Sequence, residues 1–133
     1  MKRFILITAF IMAILMLFTG CGCQSKEVAM AEYKSVSSQE AKELMDSESS
    51  YIILDVRAEE EYAEGHIKNA MLIPDYEIAE RAEKELTDKE QLILVYCRSG
   101  RRSKIASDIL VSLGYTNVVE FGGIIDWQYD IEK

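Results

Sequence analysis

Leu92-Ile93-Leu94-Val95-Tyr96, running directly into Cys97-Arg98-Ser99-Gly100-Arg101-Arg102-Ser103, is the stretch that decides the fold. Five consecutive apolar residues without polar alternation form the pattern of a strand covered on both faces, as in a parallel sheet. A polar, arginine-rich turn with a glycine at its centre comes next. A helix then reads from Ser103 to Leu113, with Ile105, Ile109 and Leu113 at helical spacing and Gly114 as its C-terminal stop. A buried strand that runs through a short loop into a helix is the core of a βαβ unit.

Working outward, the same alternation continues on both sides. Tyr33 to Val36 reads as a short strand, and Ser37-Ser38-Gln39-Glu40 as a capping box opening a helix to about Asp46. Tyr51-Ile52-Ile53-Leu54 is a second buried strand, ending in Asp55. Glu59 to Glu64 is a short helix closed by Gly65, and Ala70 to Ile73 a short strand stopped by Pro74, the chain's only proline. Asp75 to Leu86 is amphipathic, with Ile78, Ala79, Ala82 and Leu86 on one face. Val118 to Phe121 is a last strand, and Gly122-Gly123 turns the chain into a final helix around Ile124 to Tyr129. Strands that alternate with helices imply an α/β domain with a doubly wound, five-stranded parallel sheet and helices on both faces. Ligands bind such a sheet beyond the carboxyl ends of its strands, which selects the loop after Tyr96.

The first part of the 133-residue chain reads differently. Lys2 and Arg3 precede an almost wholly apolar run from Phe4 to Phe18, the layout of a secretory signal. The run of about 15 residues is short of the roughly 20 that span a bilayer, although an uncleaved anchor extended by Thr19 and Gly20 stays open. Phe18-Thr19-Gly20-Cys21 resembles a bacterial lipobox, with Phe18 where Leu is commoner. It implies a lipoprotein cleaved before Cys21, which would then carry the lipid; an ordinary cleaved signal is the alternative. At roughly 0.8 kcal/mol per buried methylene, two or more acyl chains hold a domain firmly on a membrane. The expected organisation is therefore a signal at 1–20, a tether at 21–32 and one folded domain at 33–133. The expected location is outside the cell, held by lipid on the outer face of the membrane or on the periplasmic side of one.

Loss of residues 1–20 removes Lys2 and Arg3 and no acid, leaving 13 Lys and Arg against 23 Asp and Glu, a net charge of −10. An acidic body argues against nucleic acid as a partner. No cofactor is implied. A zinc site is not expected either: Cys21 and Cys23 have no second cysteine pair, and His66 is the only histidine.

On this acidic body the loop is a concentrated cationic spot. Arg98, Arg101 and Arg102 are three of the five arginines after residue 20, and no acid occurs from Gln91 to Ser107. A thiolate, not a thiol, is the nucleophile. Each unit of pKa depression needs about 1.4 kcal/mol of preference for the anion. A helix N-terminus supplies roughly 0.3–1 kcal/mol of it; arginines and loop amides are placed to supply the rest. The sequence thus predicts that Cys97 sits at the strand end, open to a cleft, with its sulfur cradled by Arg98, Ser99, Gly100, Arg101 and Arg102.

Several motifs together resemble the rhodanese-like domain. Leu54-Asp55-Val56-Arg57, Glu61-Tyr62, Gly65-His66-Ile67, Ala70 and Ile73-Pro74 resemble its first signature. Tyr96 to Ser103 resembles its active loop, and Gly114 to Val118 with Gly122-Gly123-Ile124 and Trp127 its closing segment. The resemblance covers about residues 33–133. It implies a sulfurtransferase: Cys97 takes a sulfane sulfur from a donor such as thiosulfate, carries it as a persulfide, and passes it to cyanide or a thiol. Residues Arg98 to Arg102 would ring that sulfur, while Asp55 and Arg57 would brace the loop and line the pocket. Gly123 and Trp127 would be packing residues, and His66 structural rather than a base. A small sulfur anion or thiol acceptor is the implied partner, with a thiol-redox protein as a further one.

Two rivals remain. One is a non-catalytic or redox interaction module at the membrane surface, although such modules often lose the cysteine. The other is a cysteine-dependent phosphatase, which needs an arginine after five intervening residues. That position is Ser103, one past Arg102.

Overall fold

The computed structural model describes residues 31–133; the expected signal, Cys21, Cys23 and most of the expected tether lie outside the described residues. Five strands form one parallel sheet: β1 (Lys34–Ser35), β2 (Ile52–Asp55), β4 (Met71–Leu72), β5 (Ile93–Cys97) and β6 (Val118–Gly123). Their spatial order is β1-β6-β5-β2-β4. The most apolar strand is therefore central, with Leu54 opposite Val95 on one side and Val95 opposite Glu120 on the other. A separate antiparallel pair joins β3 (His66–Ile67) to β7 (Ile131–Glu132). Each of these strands is two residues long, too short for sequence periodicity to reveal.

Helices cover both faces, as the doubly wound reading requires. On one face α3 (Ile78–Glu85) and α4 (Arg101–Ser112) bury Ile78, Ala82, Ala106 and Leu110 against Leu54, Ile93 and Val95. On the other, α1 (Ser38–Ser47) buries Ala41 and Met45 with Ile53, Leu94, Tyr96 and Phe121. The short α2 (Glu59–Glu64) comes after β2 and ends at Gly65. The expected capping box opens α1: Ser37 Oγ accepts the Glu40 N–H at 3.2 Å, and the Glu40 carboxylate accepts the Ser37 N–H at 2.8 Å. Among the described residues, no helix is long and apolar enough to cross a membrane.

The structure corrects four expectations. Helix α4 begins at Arg101, not Ser103, because Gly100 adopts φ 106° and itself forms the N-cap. Its buried face is Ser103, Ala106, Ser107 and Leu110, while Ile105 is 46% exposed. Ser103, Ala106 and Ser107 share the sheet-facing side with Leu110, and Ile109 and Leu113 pack against the core beside them, so only Ile105 is turned outward. In the 75–86 segment, Asp75–Glu77 is a 3₁₀ turn and Ala79 is exposed, while Ile78, Ala82 and Leu86 are buried as expected. Finally, Gly122 and Gly123 belong to β6, and only a 3₁₀ turn at Ile124–Asp126 succeeds it, in place of a helix to Tyr129.

Candidate active site

The loop from Cys97 to Arg102 lies where β5 passes into α4, at the carboxyl end of the sheet. Cys97 is the last residue of β5 and is only 1% exposed. The expectation of a cysteine open to a cleft is therefore corrected: the sulfur lies beneath the loop, walled by the first turn of α4 and the end of β6. Gly100 donates its N–H to Cys97 Sγ at 3.0 Å. The Ser103 hydroxyl stands 3.5 Å from the same sulfur. Burial pushes the Cys97 thiol up. Hydrogen bonding by the Ser103 hydroxyl and by the backbone N–H groups of Ser103, Gly100 and Ser99 outweighs it, so the net direction is down.

Two glycines set this geometry. Gly100 adopts a left-handed backbone that turns its amide onto the sulfur. Gly123 works by close approach: a Cβ there would fall 1.9 Å from the Arg98 carbonyl oxygen. The end of β6 is thus pressed directly against the loop backbone. The Arg98 carbonyl in turn accepts the Ile125 N–H at 3.3 Å. The sequence identified Gly123 as a packing residue, and its packing partner is the active loop itself.

The three loop arginines separate into two kinds. Arg98 and Arg101 are exposed, as is Ser99. Arg102 is half-buried and tied to Glu61 of α2 through two hydrogen bonds, Nη1–Oε2 at 2.7 Å and Nη2–Oε1 at 2.9 Å. The pairing raises the Arg102 guanidinium and holds the Glu61 carboxyl down at about 2. Glu61 is a partner that a search confined to the loop does not find; it lies 41 residues upstream.

Asp55 and Arg57 are buried and form a bidentate pair, with Arg57 Nη2 2.7 Å from Asp55 Oδ2. Arg57 also donates to the Gly65 carbonyl at 2.8 Å, and the Tyr96 hydroxyl donates to Asp55 Oδ2 at 2.6 Å. These bonds brace the residue just before Cys97 and the end of α2. His66 is buried, stacks on Tyr62 with ring centroids 3.7 Å apart, and hydrogen-bonds the Tyr62 carbonyl through Nδ1 at 3.0 Å. That is a structural placement, as expected. Trp127 packs on Phe121.

The group that sequence reasoning missed is Glu120. Its carboxylate is buried on β6 and accepts a hydrogen bond from Ser103 Oγ at 2.7 Å. A lone acid between Val119 and Phe121 in an apolar strand was its only signal. Among the described residues, no group of three or more His, Cys, Asp or Glu side chains is placed to hold a metal ion.

Comparison with known proteins agrees with this geometry. A family model described as the rhodanese-like domain matches residues 37–130. Thiosulfate sulfurtransferase PspE of Escherichia coli (strain K12) is 41% identical over 73 residues, covering 55% of this chain and 70% of that protein. Thiosulfate sulfurtransferase GlpE of Coxiella burnetii (strain RSA 331 / Henzerling II) is 37% identical over 97 residues, covering 72% of this chain and 88% of that one. Among solved structures, a rhodanese with anions from E. coli aligns at a TM-score of 0.60 and 37% identity, over 63% of this chain and 99% of its own. The rhodanese-like domain of the Anabaena sp. Alr3790 protein aligns at 0.68 and 30% identity, over 74% of this chain and 77% of its own.

Proposed function

Because the chain belongs to the rhodanese-like domain family, we propose that it is a sulfurtransferase that carries sulfane sulfur as a persulfide on Cys97. The observation that carries this reading is the pairing of a buried cysteine with the Gly100 N–H at 3.0 Å, under a loop bearing Arg98 and Arg101 on its outer side. The outer arginines attract anions to the loop, and the inner amides stabilise negative charge on sulfur. Relatives named thiosulfate sulfurtransferase support the same chemistry.

In the first half-reaction the Cys97 thiolate attacks the outer sulfur of thiosulfate. A new S–S bond forms to Cys97, the S–S bond of thiosulfate breaks, and sulfite leaves with the electron pair. In the second, cyanide or a thiolate acceptor attacks the terminal sulfur of the persulfide. The Cys97–sulfur bond breaks, and Cys97 regains its thiolate. Neither step needs a general base, which accords with the structural placement of His66. The loop does not favour phosphate: the position where a phosphatase places its clamping arginine is Ser103, a buried hydroxyl bonded to Glu120.

The proposal includes export and attachment by lipid at Cys21, on the outer face of the cell membrane or the periplasmic side of one, resting on the sequence from Lys2 to Cys21. The test of function is thiosulfate:cyanide sulfurtransferase activity, expected in the wild type and absent in Cys97→Ser. Turnover of phosphate esters instead would contradict it. Cys21→Ser is expected to release the protein from the membrane fraction.

A further inference from the structure

Glu120 is 1% exposed, and among the described residues it forms no ion pair with Lys or Arg. An unpaired buried carboxylate opposes stability, so its placement calls for another reason. Three donors meet it: Ser103 Oγ and the Gly122 N–H on Oε1, each at 2.7 Å, and Ser35 Oγ on Oε2 at 2.6 Å. The Gly122 bond lies within the irregular register that sets Cys97 opposite Gly123 after Val95 opposite Glu120.

Ser103 links this carboxylate to the nucleophile. Its hydroxyl has one hydrogen and three acceptors within reach: Glu120 Oε1 at 2.7 Å, the Gly100 carbonyl at 2.9 Å and the Gly122 carbonyl at 3.3 Å. A carboxylate is the strongest acceptor of the three. With the hydrogen on Glu120, Ser103 turns a lone pair toward Cys97 Sγ, 3.5 Å away. In that orientation it accepts from a thiol; the hydroxyl lowers the Cys97 thiol only when its hydrogen turns from Glu120 to the sulfur. Ser103 stabilises the anion only when Glu120 gives up that hydrogen.

We infer that Glu120 is a positioning residue that, by holding the only hydrogen of Ser103, restrains the ionisation of Cys97. The residue deepens the proposed sulfur-transfer site by setting how readily its nucleophile forms. Restraint has a use there, because a resting thiolate is the form that oxidants and alkylating agents attack. Other groups also face the pair. Arg102 and the loop amides favour the anion. The Tyr33 phenol ahead of β1 is pushed up by burial and by the carboxylates of Asp108 on α4 and Glu120.

The test is the pH profile of iodoacetamide alkylation, read at the Cys97 peptide by mass spectrometry in the full chain. Glu120→Gln keeps the shape of the side chain but replaces the charged acceptor of the Ser103 hydrogen by a neutral amide oxygen, a weaker one that releases the hydrogen more readily to the sulfur. Its midpoint is expected about one unit below wild type. In a Ser103→Ala background the same substitution is expected to move the midpoint by less than half as much. Superimposable profiles for wild type and Glu120→Gln, an upward shift, or an equal shift with and without Ser103 would each overturn the inference. Should circular dichroism show Glu120→Gln unfolded, Ser103→Ala alone decides: an unchanged or lower midpoint supports the restraint, and a higher one overturns it. The readout does not use sulfur transfer, so it stands or falls separately from the proposed activity.

Discussion

Arg102 is held by Glu61 through two parallel hydrogen bonds, so the innermost loop arginine is fixed to α2 and not free to swing. Glu61 joins a helix on one side of the site to the loop on the other. Its folded pKa of about 2 lies below the ordinary 4.5. A depressed carboxyl contributes stability that is present above the ordinary value and is lost as pH falls toward the folded one. Glu61→Ala is therefore expected to cost about 0.5–1 kcal/mol at pH 7, the range of a partly exposed pair. The difference from wild type should vanish between pH 4.5 and about 2. Chemical denaturation across that range checks it.

Gly123 and the Arg98 carbonyl leave no room for a side chain between them. Gly123→Ala is expected to cost about 1–3 kcal/mol, since the obstructing atoms are backbone. It should also displace the loop, lowering sulfur loading of Cys97 more than tenfold even where the fold persists. Thermal denaturation and intact mass after thiosulfate treatment read the two effects separately.

Asp55 satisfies both Arg57 and the Tyr96 hydroxyl in a buried setting. Asp55→Ala strands a buried guanidinium and is expected to cost about 3–5 kcal/mol. Equilibrium unfolding in urea measures it. A cost below about 1 kcal/mol would show that water reaches this pair.

Ile105 and Ala106 make opposite expectations from adjacent positions on α4. Ile105→Ser, on the exposed flank, is expected to change stability by less than about 0.5 kcal/mol. Ala106→Leu, against the sheet, is expected to cost about 1–3 kcal/mol by overpacking. Paired melting curves of the two variants decide it.

That contrast also shows what the sequence made legible. The strands at 52–55 and 93–97 stand out because uninterrupted apolar runs have few other solutions. The Ser37 capping box and the Gly65 stop are local chemistry, read directly from neighbouring residues. On α4, Ile109 and Leu113 pack against the core as expected, but Ile105 was misplaced because hydrophobicity ranks Ile above Ala and Ser, whereas close helix–sheet packing at Ser103, Ala106 and Ser107 selects for small size. The β3–β7 pair joins residues far apart in sequence over two positions each, leaving no periodic trace. In the site, Cys97, Gly100 and the arginines were visible as a contiguous motif. Glu61 and Glu120 were not, because each meets the loop only through the sheet order that brings β2 and β6 to either side of β5.

The most direct test of persulfide transfer is the intact mass of the protein after incubation with thiosulfate and removal of excess reagent. The expected result is a gain of one sulfur, mapped to Cys97, reversed by cyanide and absent in Cys97→Ser. An unchanged mass, with the Cys97 thiol still free and the protein folded, would contradict a sulfur-carrying role for this loop.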